Sequence, residues 1–207
     1  MNGVITDDEN CHELATKMAF DEVGLEVTPE IYRKFCLGRT DVAAFMDLIA
    51  TYQIQHAKSI DLIAKKTGYY MKLVEDNLKI YPGVITLIDR LAQKYVLALT
   101  TSSTYEEMES VVDQLNIRNR FKTIVCSRDV VQGKPNPEPY LLTAQKLGVG
   151  CQECLVIEDS ENGVRSAKAA GMKCVAITNT ENPDKLFLAD NIVNRYTEIT
   201  DHLIQNS

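Results

Sequence analysis

The stretch Leu155-Val156-Ile157-Glu158-Asp159-Ser160-Glu161-Asn162-Gly163 runs three apolar residues straight into two adjacent carboxylates and a polar turn. Beyond it, Val164, Ala167 and Ala170 fall on one face of an amphipathic segment that stops at Gly171. A continuous apolar run bounded by a turn suits a parallel strand buried on both faces. The period that follows suits a helix packed back on the sheet, with the glycine as its stop signal. In such a unit the carboxyl end of the strand opens into the ligand crevice, so Glu158 and Asp159 stand where a site is expected. Two uncompensated carboxylates there favour a hard cation such as Mg²⁺ between them. Taken alone, the pair fits a solvated loop equally well.

Around this unit strands and helices alternate. Tyr81-Pro82-Gly83-Val84 is a turn signal that opens a helix running to about Gln93. Residues 96–100 read as a buried strand, 105–115 as a helix, 122–126 as a strand, and 137–147 as a helix with prolines at its start. Residues 173–178 form another expected strand, 190–193 a weak last one, and a terminal helix starts at Glu198. Alternation at this spacing means βαβ units, a parallel sheet and right-handed crossovers. Residues 10–79 differ: 12–23, 28–36, 41–52 and 56–78 all carry helical periodicity, with Thr28-Pro29-Glu30 a capped start. That segment is expected to be a helical bundle without strands.

The chain has 207 residues and a formal charge of −7, an acidic balance unsuited to nucleic acid or an anionic membrane surface. No apolar run is long enough to span a bilayer, and the first residues lack the features of a signal peptide. Six cysteines in a chain of this size do not suggest a disulfide scaffold, so a cytoplasmic location is expected. Cys151-x-x-Cys154 leads into a strand rather than opening a helix, and no second pair completes a zinc site. A redox or metal role is therefore not expected, and Cys154 reads as core.

Successive parallel strands present their carboxyl ends to one crevice. After residues 96–100 come Thr101, Ser102 and Ser103, hydroxyls and N–H groups at a helix start that suit an anion or serve simply as caps. After residues 122–126 comes Gln132-Gly133-Lys134-Pro135-Asn136-Pro137. Its lysine, held between glycine and proline, can neutralise a phosphate and a carboxylate together, although most loop lysines are only solvated.

Hydroxyl, lysine and paired acids at consecutive strand ends, in that order, resemble the haloacid dehalogenase (HAD) superfamily. The resemblance covers essentially the whole chain and lies with the helical-cap branch of β-phosphoglucomutases and phosphoglycolate-type phosphatases. Thr101 matches the hydroxyl of the second motif, with Ser102 beside it in the phosphate-binding turn. Lys134 matches the motif lysine, Glu158 and Asp159 the Mg²⁺-binding acids, and Gly163 the glycine after them. Asn2-Gly3-Val4-Ile5-Thr6-Asp7 matches the tail of the first motif.

The resemblance implies the α/β class: a Rossmann-like parallel sheet core with helices on both faces, plus an inserted α-helical cap. The expected core is residues 1–8 and 79–207, and the cap residues 9–78. It also implies that a first-strand aspartate attacks phosphorus and that a second, two residues later, exchanges protons. Mg²⁺ would bridge the first aspartate, a backbone carbonyl and the phosphate. In the cap, His12 matches a histidine of the mutase-like members, and Lys66 is a further candidate for contact with substrate. An arginine of the mutase cap loop, which holds a second phosphate, matches Asp41 here, with Arg39 nearby as a substitute.

Two departures stand out. The nucleophile falls one position before Met1, and the acid/base position is Asn2, which exchanges no proton near neutral pH. The strand expected before the motif is missing too, so the natural protein is expected to begin upstream. The reading is Mg²⁺-dependent hydrolysis or transfer of a phosphoryl group on a small phosphorylated metabolite, such as a sugar phosphate. No nucleic-acid or membrane partner is expected, and the chain is expected to be a monomer or weak dimer. The alternative is an inactive relative that binds phosphate or a phosphorylated ligand; a dehalogenase is disfavoured by the paired acids.

Overall fold

Hydroxyl caps set several helix starts. Thr28 Oγ1 accepts from Ile31 N at 3.3 Å and Thr40 Oγ1 from Ala43 N at 3.4 Å, each satisfying an amide the helix leaves free. In the computed structural model, which describes residues 1–206, these caps open α2 (Pro29–Phe35) and α3 (Asp41–Thr51). Before them lies α1 (Glu9–Asp21) and after them α4 (Ser59–Val74). The last is shorter than the periodicity over 56–78 implies. His56 sits at φ 69°, outside helical space, so the helix starts only at Ser59. Phe20, Phe45, Leu48 and Leu62 are buried together, the two phenylalanine rings meeting edge-on at 4.8 Å. Ala15 of α1 packs with Tyr70 and Val74 of α4.

The rest alternates as the sequence predicts. Gly83, at φ 89°, turns the chain into α5 (Val84–Ala92), followed by β1 (Ala98–Thr100), α6 (Tyr105–Gln114) and β2 (Thr123–Val125). Then come α7 (Glu138–Leu147), β3 (Leu155–Glu158), α8 (Glu161–Ala169), β4 (Lys173–Ile177), β5 (Asn191–Val193) and α9 (Asp201–Asn206). The terminal helix starts later than Glu198 because Tyr196–Glu198 forms a 3₁₀ turn first.

Every ladder is parallel, with Leu99 opposite Ile124, Ile157 opposite Val175, and Ala176 opposite Ile192. The strands form two sheets among the described residues, β1–β2 and β3–β4–β5, rather than one. Residues 2–6 make only isolated bridges and join neither sheet as a strand. One edge of β1 and one of β3 are consequently without a strand partner among the described residues. Both sheets nevertheless share one apolar cluster, in which Met1 and Ile5 meet Leu99, Val111, Val175 and Ile177. No helix of the described residues is long and apolar enough to cross a membrane.

Ile177 is fully buried in that cluster. Ile177→Ala is expected to lower unfolding free energy by about 2–5 kcal/mol, read as a shifted urea midpoint; an unchanged midpoint would show that the two sheets do not share a core.

Candidate active site

Thr101 follows β1 directly and the Glu158–Asp159 pair ends β3, and both strand ends line one cavity of about 90 Å³. Asn2, Ser102 and Lys134 line it from the strand side, and His12, Arg39 and Lys66 from the helical side. All the residues singled out from the sequence thus meet at one place.

On the strand side, Thr101 Oγ1 lies 2.9 Å from Ser103 Oγ, which donates to Asn2 Oδ1 at 2.7 Å. Lys134 Nζ binds Glu158 Oε1 and Thr100 O, and Tyr140 OH donates to the same Glu158 oxygen at 2.6 Å. The other Glu158 oxygen accepts from Asp159 N and Ser160 Oγ. Burial alone would raise the Glu158 carboxyl, but the Lys134 ammonium outweighs it and brings it down to about 2. Asp159 goes the other way, pushed up to about 7 by burial and by the Glu158 charge. One of its oxygens accepts from Thr180 Oγ1 at 2.5 Å.

Two glycines make room for these carboxylates. A Cβ at Gly163 would overlap the Glu158 carboxylate, and one at Gly3, where φ is 74°, would overlap Asp159. The loop carrying Gly3 is tied to the far end of the chain. Asn179 Nδ2 donates to Gly3 O at 2.7 Å, and Tyr196 OH donates to Val4 O at 2.5 Å.

On the helical side, Lys66 Nζ lies 2.9 Å from each of Asp41 Oδ2, Glu107 Oε1 and His12 Nδ1. Burial opposes the Lys66 charge, yet Asp41 and Glu107 raise it above its ordinary value. Glu107 is held at about 2, its burial outweighed by Lys66. His12 stacks on Tyr70 at 4.1 Å and is pushed down to about 4 by burial and by Lys66, so it is neutral at pH 7. A neutral imidazole accepts at one nitrogen only. With Lys66 at Nδ1 and the Asn2 amide at Nε2, only one of them donates to it.

Arg39 is spoken for. Its guanidinium binds Asp47 at 2.6 Å and the Phe35 carbonyl at 3.0 Å, so it touches the cavity rim while remaining bonded to its own helices. The sequence missed Tyr140 and Thr180, and gave Ser103 no part beyond membership of the hydroxyl run. Neither Tyr140 nor Thr180 left a signal in the local sequence pattern.

The donor set bears on a divalent cation. Both Glu158 oxygens are occupied by protein donors, while Asp159 Oδ1 has no partner among the described residues. No cluster of three or more acidic, histidine or cysteine side chains forms a ready-made metal site among the described residues. One free carboxylate fits Mg²⁺, which is commonly held by one or two carboxylates with water and substrate phosphate completing the shell.

The structure sets a pH dependence of stability through His12. Its folded pKa of about 4 lies below the ordinary value near 6.5, so the unfolded chain takes up the proton first. The stability it contributes is therefore complete above pH 6.5 and lost as pH falls towards 4, by about 3 kcal/mol. Urea unfolding at pH 7 and pH 4.5 is expected to show a smaller pH effect in His12→Asn than in the native chain; equal slopes would contradict a neutral buried His12.

Comparison with known proteins places this arrangement. A stretch of 83 residues is 46% identical to "Putative phosphatase YhcW" of Bacillus subtilis, covering 40% of this chain and 38% of that protein. "Hexitol phosphatase B" of Escherichia coli is 27% identical over 205 residues, 97% of this chain and 91% of that protein. The crystal structure of β-phosphoglucomutase from Clostridium difficile superposes with a TM-score of 0.86 at 23% identity, covering 99% of this chain and 92% of that one, a likeness of fold. The sequence pattern of the haloacid dehalogenase-like hydrolases matches residues 1–177, and the chain belongs to that family.

Proposed function

We propose that this chain binds a small phosphorylated metabolite, a sugar or polyol phosphate, with its phosphoryl group between Thr101, Ser102 and Lys134, and supports transfer of that group to water. The observation that carries the reading is the convergence of a hydroxyl, an ammonium and a poised carboxylate from separate strand ends on one small cavity. The names of the relatives that hydrolyse hexitol phosphates and phosphorylated carbohydrates support the substrate class. Residues 9–78 serve as the cap over a core of 1–8 and 79–207. A cavity of about 90 Å³ holds a phosphate more readily than a whole sugar phosphate, so the cap must open for substrate to enter.

The Thr101 hydroxyl and the amides after it orient the phosphoryl oxygens, and Lys134 offsets their charge while remaining anchored by Glu158. Asp159 is the carboxylate that would hold Mg²⁺, and the ion when bound supplies positive charge to the phosphoryl oxygens. The Met1 amino group is buried among Lys134, Glu158 and Asp159. A residue placed before Met1 enters the cavity there, and an aspartate in that place would be the nucleophile of an aspartyl-phosphate route. Asn2 holds Ser103 and faces Asp8 but moves no proton, so turnover is expected to be slow. Six free thiols agree with a cytoplasmic setting.

Inorganic phosphate is expected to raise the melting temperature, more so with Mg²⁺, and Thr101→Ala to weaken its binding about tenfold. Phosphate release from sugar phosphates is expected to increase when the chain is extended by a strand ending in aspartate before Met1. Binding without release in either form would make the protein a binder; absence of phosphate binding would overturn the reading.

A further inference from the structure

The wall of the cavity facing the phosphoryl end is acidic. Glu9, Asp41 and Glu107 all line it, and the cation embedded there, Lys66, is already matched against both Asp41 and Glu107 at 2.9 Å. His12 contributes no charge at neutral pH, and the Arg39 guanidinium is held by Asp47 and Phe35 O. Glu9 uses one oxygen to accept from Tyr32 OH at 2.6 Å and Asp41 uses one for Lys66. The second oxygen of each has no partner among the described residues. Burial already holds both carboxyls above their ordinary values, which a nearby anion would worsen and a hydrogen-bond donor would relieve.

Taking the proposed phosphoryl site as given, we infer that the substrate carries one phosphate and that its far end presents hydroxyl or ammonium groups to Asp41 and Glu9, so that sugar bisphosphates are rejected. Discrimination of this kind is negative as much as positive. A second phosphate would be desolvated against carboxylate oxygens that have no donor of their own, whereas hydroxyls and amines find acceptors ready. The competing location for a second phosphate is the adjoining cleft of about 440 Å³, rimmed by Arg33 and Lys34. Both side chains are exposed, where salt screens their attraction, while Asp41 acts from inside the cavity.

The test is calorimetric binding to the intact chain of inorganic phosphate, fructose 6-phosphate, fructose 1,6-bisphosphate, glucose 6-phosphate and glucosamine 6-phosphate in one buffer. Fructose 6-phosphate is expected to bind at least about tenfold tighter than the bisphosphate, and glucosamine 6-phosphate at least as tightly as glucose 6-phosphate. Asp41→Asn is expected to narrow the first difference; the native ratio stands as the result should that variant fold poorly. Bisphosphate binding equal to or tighter than the monophosphate, with inorganic phosphate still bound, overturns the inference while leaving the phosphoryl site in place. Loss of inorganic phosphate binding itself overturns the phosphoryl site and the inference together.

Discussion

The ammonium of Lys66 joins the two halves of this molecule. It sits on α4, almost fully buried, and bonds Asp41 at the start of α3, Glu107 on α6 and His12 on α1. Removing an ammonium from water costs several kcal/mol, which is recovered only when opposite charges and good geometry meet it. Two carboxylates and an imidazole do so here, one of the carboxylates arriving from α6, the helix that follows β1. Removing Lys66 would leave two carboxylates facing each other without compensation, so the seating of the helices on the strand-bearing part is specified electrostatically as well as by packing.

A second charge arrangement divides the labour of the paired acids. Glu158 is surrounded by Lys134, Tyr140 and its own following amides, and stays ionised. Asp159, beside that fixed charge and short of donors, is held near neutral pH. Adjacent residues with the same chemistry are thus given different tasks by their surroundings. One anchors the lysine, and the other remains available.

The strand ends were legible because their signals are local. Three apolar residues, two acids and a capped helix in 155–171 suffice to place a site, as do Thr101 and Lys134 after their strands. What the sequence hid depends on packing over distance. Tyr140 reaches Glu158 across 18 positions and Lys66 reaches Glu107 across 41, and nothing in the local pattern announces either. Glu107 in particular completes the capping box at the start of α6; its second role exists only once α4 lies against α6. The sequence pattern likewise implied a single sheet, whereas the strands pair as two because residues 2–6 do not form a ladder between them.

The bonds from Asn179 and Tyr196 to the carbonyls of Gly3 and Val4 have a kinetic meaning. The backbone of the first loop is clasped by side chains nearly two hundred positions away. Opening of the segment beyond β4 and loosening of residues 2–6 therefore belong to one cooperative event. In hydrogen exchange the amides of that loop would share the protection of the C-terminal segment rather than fray as a chain end normally does. The loop that borders the candidate site is thereby held as firmly as the segment that clasps it.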